Sequence, residues 1–368
     1  MKILLVIDNL GSGGAQRQMV ILAKWLKQNQ YDVHFFHYYP QDFFLSELKE
    51  LCIPIHYVPK KHKLGIEVIK GLNQILRREK YNFVLSFLNT PNLYSIIAKQ
   101  LSKCATINIT SERSKTNFNL KNVRLFFKKW AHKKSDWIIC NSNHEKNNWS
   151  EYFPVVKNKI STIYNGIDLD KFFPRVQGYK RNNSFLCIGR VEPGKNGLYI
   201  IEVLNFLVKK GISIKITWLG HITFSDGSRK NYFESMCNKI QEYHLESNWN
   251  WLTPALNVRE IIHSHDALIH PSTIEGLPNV ICESLASGVP VFAADLLDHP
   301  ILVKEDETGF LFDASDPLSL VNAITKFSGL DDMEYERMCS NARFFAEKEL
   351  SIEKMINSYK KLFDQIAI

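Results

Sequence analysis

Two doubly wound α/β domains facing a central cleft are the fold this sequence predicts, and three observations predict it. The chain has 368 residues, more than a single hydrophobic core usually serves. Near-continuous apolar runs alternate with helix-periodic stretches, as in parallel sheets covered by helices on both faces. The alternation pauses at Asn165-Gly166-Ile167-Asp168 and then starts again. The expected division is 1–168 and 169–349. Two similar units on one linker leave a cleft between them, where ligands usually bind.

The elements follow in order. Residues 2–7 are a near-continuous apolar run, the signature of a strand buried on both faces. Gly11 to Gly14 make a turn. Residues 16–28 place Met19, Ile21, Leu22, Trp25 and Leu26 at helical spacing. Further strands are expected at 33–38, 55–58, 83–87, 106–109 and 137–141, with helices at 66–78 and 92–101. After the linker come strands at 185–188, 213–219, 250–252, 267–270, 289–293 and 308–312. Helices are expected at 197–209, 232–243, 317–327, 335–347 and 352–366.

Composition narrows the class. Apolar residues make up 45% and charged residues 23%, which fits a well-cored globular protein. No apolar run reaches the ~18 residues that a membrane-spanning helix needs. Residues 3–7 are too short an apolar run for a secretory leader and read as a first strand. The seven cysteines are scattered singly, with no Cys-x-x-Cys pair. Neither a zinc site nor a disulfide framework is expected, and a reducing cytosol fits. Charge is uneven: residues 1–170 hold 25 Lys and Arg against 13 Asp and Glu, and the rest hold 21 against 25. The first half is therefore expected to meet something anionic.

The most informative stretch is Ser272-Thr273-Ile274-Glu275-Gly276-Leu277-Pro278-Asn279-Val280-Ile281-Cys282-Glu283. Glu275 opens a turn, and Glu283 lies one turn inside a helix that ends at Gly288 and Pro290. Carboxylates accept strong hydrogen bonds from paired hydroxyls, and a helix start favours an anion. A ribose diol, a hexose and a phosphate would all suit such a pocket, although two solvated acids would give the same letters. Arg190 and Lys195 follow a strand in Gly189-Arg190-Val191-Glu192-Pro193-Gly194-Lys195-Asn196. Two cations at a sheet mouth suit a diphosphate. The loop Gly11-Ser12-Gly13-Gly14-Ala15-Gln16-Arg17 exposes backbone N–H groups at a helix start, yet it is neither G-x-G-x-x-G nor a P-loop.

These segments together resemble the retaining glycosyltransferases of family 4, which have the GT-B fold of two Rossmann-like domains. Bacterial members often build surface polysaccharide. The resemblance is most specific at Gly189 to Asn196 and at the E-x7-E stretch from Pro271 to Pro290. It implies that the C-terminal domain binds a nucleotide sugar and the N-terminal domain binds the acceptor. It also implies that a terminal helix, 350–368, packs back on the first domain. Carried over, Arg190 and Lys195 meet the diphosphate, Glu283 the ribose, and Glu275 the donor hexose. Gly13, Gly14, Gly276, Leu277, Pro278, Asn279 and Val280 surround the donor. Gly220 and Leu252 lie where the family meets the base, although Gly220-His221 lacks an evident second glycine. Gln16 takes a place often held by Glu, and Arg113 replaces a His that many members keep beside the reacting sugar. Gln16, Asn89 and Arg113 are the implied acceptor contacts, with Asn92 either beside them or capping a helix. Arg113 also fits a surface ion pair with Glu112.

The resemblance implies a UDP-sugar donor, a polyprenyl-diphosphate-linked saccharide acceptor of O-antigen or capsule type, no metal and no nucleic-acid partner. Asp168-Leu169-Asp170 has the letters of a metal-binding D-x-D but sits in the linker. His263, His265 and His270 lack a carboxylate or Cys to complete a metal set. The stretch Lys121 to Lys134 carries Lys121, Arg124, Lys128, Lys129, Lys133 and Lys134 beside a Val123, Phe126, Phe127 and Trp130 stripe. It reads as a contact with an anionic membrane, placing the protein at the inner face of the cell membrane. A helix packed by its apolar stripe, with a solvated basic face, fits too. Two other functions suit the chain: a GT-B-fold UDP-N-acetylglucosamine epimerase and a non-catalytic module for anions or membranes.

Overall fold

The computed structural model describes all residues except 120, 121, 177, 223–226, 254–256 and 368. It divides into two compact units, Met1–Gly166 with Met355–Ile368, and Ile167–Lys354. The terminal helix Ile352–Ile366 thus ends in the first unit, where Phe363 packs 4.9 Å from Phe83.

The first unit holds β1 (Lys2–Val6), β2 (Asp32–His37), β3 (Ile55–Tyr57), β4 (Phe83–Phe87), β5 (Ile107–Glu112), β6 (Trp137–Cys140) and β7 (Ile160–Thr162). They pair in parallel in the order β3-β2-β1-β4-β5-β6-β7. The second holds β8 (Ser184–Ile188), β9 (Lys215–Leu219), β10 (Trp249–Leu252), β11 (Ala267–His270), β12 (Val291–Ala294) and β13 (Gly309–Phe312). Their parallel order is β10-β9-β8-β11-β12-β13. The edge strand β7 escapes the sequence pattern because three residues of Ile-Ser-Thr show neither a run nor an alternation.

The expected apolar runs are buried on both faces: Ile3, Leu4, Leu5 and Val6 have no exposure. In the second unit Phe185, Trp218, Phe292 and Phe310 fill the space between sheet and helices. Each such side chain contributes roughly 1.5–3 kcal/mol when buried. The β-branched and aromatic content explains the strands, and the caps set the helices. Ser142 accepts from Glu145 N at 3.2 Å, and Asp331 with Glu334 forms a reciprocal capping box.

Both sheets reverse direction of growth once, between β1 and β4 and between β8 and β11. Ligands of open α/β sheets bind outside the carboxyl ends of strands at such points. The loops after β1, β4, β8 and β11 are therefore the ones to inspect. They carry Gly13, Asn89, Lys195 and Glu275.

Candidate active site

In the second unit two loops flank the reversal point and are tied together. The loop after β8 makes a short 3-10 turn, Pro193–Lys195, closed by Asn196 in the left-handed region at φ 56°. The loop after β11 bonds it twice: Ser272 Oγ donates to the Gly194 carbonyl at 3.1 Å, and Thr273 N donates to it at 3.0 Å. Lys195 lies along Gly189 and its ammonium pairs with the Glu275 carboxylate. Both side chains are 16% exposed. His270 Nε2 lies 3.4 Å from the same Glu275 oxygen. Burial pushes the Glu275 carboxyl up, but His270 and Lys195 outweigh it and hold it well below the usual carboxylate range. Glu275 is therefore ionised at neutral pH.

Arg190 does not share this pocket's interior. Its side chain is 61% exposed and pairs with Glu192 at 2.9 Å. The two expected cations are thus one half-buried lysine and one rim arginine. Glu283 is 7% exposed within the helix Asn279–Ala286. Pro278 stands at the N-cap with φ −76°, so the first helical turn directs backbone N–H groups outward. Gly276, Leu277 and Pro278 are buried, and Asn279 and Val280 half-buried. Gly220 has a packing reason for being glycine: a Cβ would run into the Gly189 carbonyl oxygen. Its N–H donates to the Leu252 carbonyl at 2.9 Å, so that carbonyl serves the sheet edge.

The histidines separate. His263 Nε2 lies 2.9 Å from the Phe173 carbonyl, and His265 Nδ1 lies 2.7 Å from the Ile261 carbonyl. These two are structural. His270 instead lies against Glu275. Its signal in the sequence was its place at a strand end, five residues before Glu275. Asp168 caps its own turn, accepting from Asp170 N at 3.1 Å and Lys171 N at 2.9 Å.

In the first unit the Gly-rich loop leads into the helix Gly14–Gln28, with Gly13 at the N-cap. Gln16, an expected acceptor contact, is held within this loop. It is 8% exposed, and its Nε2 donates to Asp8 Oδ1 at 3.0 Å and faces Asn9 Oδ1 at 3.4 Å. Its amide is engaged within the loop, with Asp8 as its partner, a residue that sequence reading did not single out. Burial raises the Asp8 carboxyl, with Asn9 and Gln16 opposing. After β4, Leu88 sits at φ 77°, a strained region for a branched side chain. It delivers Asn89 exposed at the start of the helix Asn89–Ser102. Asn92 is neither a cap nor an open group. It is 2% exposed, accepts from Ser86 Oγ at 2.8 Å and donates to the Ser111 carbonyl at 3.0 Å.

Arg113 is held firmly. Its Nη2 donates to Asn165 Oδ1 at 2.6 Å, its guanidinium lies 4.3 Å over Phe87, and Tyr359 also bonds it. The ion pair expected with Glu112 does not form. Glu112 is 1% exposed and pairs with Lys128 and, at 2.6 Å, with His132 Nε2. Burial pushes the Glu112 carboxyl up, and these two partners bring it below its ordinary value.

That pairing inverts the basic helix. Lys121 lies outside the described residues. In Val123–Lys134, Lys128 is 11% exposed and also donates to Thr116 Oγ1 at 2.6 Å. Lys129 packs 5.2 Å from the Phe118 ring. These two cations face inward, contrary to expectation. The apolar stripe faces outward instead, with Val123 70%, Phe126 65% and Phe127 45% exposed. Arg124, Lys133 and Lys134 remain exposed. The physical reason is the buried Glu112, whose charge needs a cation more than the phenyl rings need cover.

Two parallel sheets with paired reversal points and an anion-ready second unit define a class, the two-domain GT-B proteins. Known proteins agree. The family described as Glycosyltransferase Family 4 matches residues 12–171, and Glycosyl transferases group 1 matches 170–344. An Escherichia coli UDP-Gal:alpha-D-GlcNAc-diphosphoundecaprenol alpha-1,3-galactosyltransferase is 26% identical over 81% of this chain and 79% of its own. A Campylobacter jejuni alpha-1,4-N-acetyl-D-galactosaminyltransferase, named for an undecaprenyl-diphosphate-linked substrate, is 24% identical over 100% of this chain and 99% of its own. The solved Anabaena HepE in complex with UDP shares the fold at a TM-score of 0.85 and 17% identity, covering 100% of both chains. The chain belongs to the family 4 glycosyltransferases and has the GT-B fold. It is an enzyme, which removes the non-catalytic alternative.

Proposed function

We propose that this enzyme transfers a hexose or N-acetylhexosamine, with retention, from a UDP-sugar to a lipid-diphosphate-linked saccharide in bacterial O-antigen or capsule biosynthesis. One observation carries the reading: a half-buried Lys195–Glu275 pair on two tied loops at the reversal point of the second sheet. Lys195 can turn to a diphosphate while Glu275 turns to sugar hydroxyls. Glu283 would hold the ribose diol. Arg190 at the rim and the helix start after Pro278 would meet the charge of the departing UDP. Such preorganised donors are each worth about 3–4 kcal/mol in a transition state. The bond from the anomeric carbon to the UDP oxygen breaks, the acceptor oxygen takes its place on the same face, and the acceptor proton passes to the departing phosphate. Protein cations serve here where other transferases use a metal. Asn89, Asp8 and Arg113 would face the acceptor, Arg113 as a fixed cation beside its diphosphate. UDP and the lipid diphosphate are favoured by what the relatives are named for.

The test is an incubation in EDTA with UDP-glucose, UDP-galactose and their N-acetyl forms, plus a polyprenyl-diphosphate N-acetylhexosamine. The expected product is one sugar longer, with an α linkage by NMR. A β linkage, a requirement for added metal, or an epimerised donor without transfer would overturn the corresponding part.

The same proposal includes a bilayer contact. No described helix is long and apolar enough to cross a membrane. The exposed Phe126 and Phe127 border an apolar groove with Leu93, Ile97, Leu101 and Trp130. Arg124, Lys133 and Lys134 stand on the same helix. Phenyl rings inserting beneath anionic headgroups, with cations above them, match that surface. The enzyme should sediment with anionic vesicles, and Phe126→Ser with Phe127→Ser should abolish sedimentation even at low salt. Sedimentation of the double variant like the original would remove this face.

A further inference from the structure

We infer that His270 is a positioning residue that holds the Glu275 carboxylate in register with the donor sugar while Lys195 is engaged elsewhere. The inference rests on the reading of Glu275 as the donor-sugar contact. His270 ends β11, where Leu268, Ile269 and His270 pair with β12, so its backbone is fixed by the sheet. Its side chain is 2% exposed. Nε2 points toward Glu275 Oε1 at 3.4 Å and has no hydrogen bond among the described residues. A buried ring nitrogen left unpaired is unfavourable. A small advance of the carboxylate completes the bond.

The arrangement of partners says when that advance matters. Glu275 Oε1 is shared between the Lys195 ammonium and the His270 ring. An anionic diphosphate competes for Lys195. Once the lysine turns to it, Glu275 loses its cation, and His270 is the buried donor that remains. The ring itself is wedged by His299, whose centroid lies 5.2 Å away in a T-shaped contact. His299 has no exposure, and its Nδ1 lies 2.8 Å from the Ala294 carbonyl. The groups that face His270 are therefore Glu275, Lys195 and His299. Burial lowers the His270 imidazole below its ordinary value, with Glu275 opposing and Lys195 adding to the effect. Burial pushes His299 down to about 3. Both rings are neutral at pH 7. His270 thus offers Glu275 a neutral N–H and leaves the positive charge of the site to Lys195. Sequence reading placed no functional weight on either ring.

The test uses the whole chain with His270→Leu, His270→Gln and Glu275→Ala, each first checked by its melting temperature. Calorimetry with UDP and with UDP-galactose or UDP-N-acetylglucosamine separates nucleotide from sugar binding. UDP release from the same sugars gives kcat and KM between pH 5 and 8. His270→Leu should bind UDP within about 2-fold of the original and lose kcat by about 10- to 100-fold, the cost of a misplaced group at a reacting centre. His270→Gln keeps an N–H donor and should recover most of that loss. Protonation turns His270 into a cation that draws Glu275 away from the sugar. The original enzyme should therefore slow on the acid side, and the Gln variant, which has no such proton, should not. An unchanged kcat in His270→Leu, with Glu275→Ala inactive, overturns the inference and leaves Glu275 in the site. Equal loss of UDP binding in the Leu and Gln variants overturns it in favour of a packing role. A fully active Glu275→Ala removes the reading beneath it.

Discussion

Lys195→Ala should lower the rate of sugar transfer by about 10²–10³-fold, the usual loss when a preorganised charge leaves a transition state. The lysine is held inside the tied loops of the second unit, 16% exposed and aligned along Gly189. Its removal also leaves Glu275 ionised and half-buried without its ammonium partner, so the pocket becomes more negative just where a diphosphate must enter. Lys195→Arg should not restore the rate, because a planar fork cannot occupy the slot of a single ammonium over Gly189. Arg190→Ala should cost less, since its guanidinium is 61% exposed at the rim. Steady-state rates for the three variants check the order. A Lys195→Ala enzyme within 2-fold of the original would remove the lysine from the chemistry.

Lys128→Glu should destabilise the protein by about 3–5 kcal/mol, as expected when a buried charge loses its partner. Glu112 is 1% exposed, and Lys128 supplies the ammonium that pairs with it, with His132 Nε2 at 2.6 Å on its other oxygen. The substitution sets a second carboxylate beside it. Glu145, fully buried nearby, is already raised by burial and by Glu112. Lys133→Glu on the same helix is exposed and should change stability by less than about 0.5 kcal/mol. Urea unfolding of the two variants separates these expectations. Equal stability would place Lys128 in solvent after all.

Period and spacing made the strands legible. Runs such as Ile3 to Val6 can only be buried on both faces, and the restart after Gly166 follows from the second set of runs. The acid and cation loops were legible because Gly, Pro and charged residues cluster at strand ends. What the sequence withheld is where each side chain turns. The helix Val123–Lys134 has one apolar and one basic face, and periodicity cannot say which is inside. Glu112, eleven residues before it, settles that by drawing Lys128 and His132 inward. Gln16 carries the family's letter position but bends back on Asp8, a contact eight residues away that no spacing rule anticipates. His270 is a single letter in an apolar strand, and only the return of the chain at Glu275 gives it a partner.

In the proposed reading the second unit holds a UDP-sugar by Lys195, Glu275 and Glu283. Calorimetric titration of the original enzyme, Glu283→Ala and Glu275→Ala with UDP and with the UDP-sugars tests it most directly. UDP is expected to bind the original enzyme, Glu283→Ala to weaken UDP and UDP-sugars alike, and Glu275→Ala to keep UDP affinity while losing the added affinity of the sugar. UDP affinity unchanged in Glu283→Ala, or no binding of any UDP compound to the original enzyme, would contradict it.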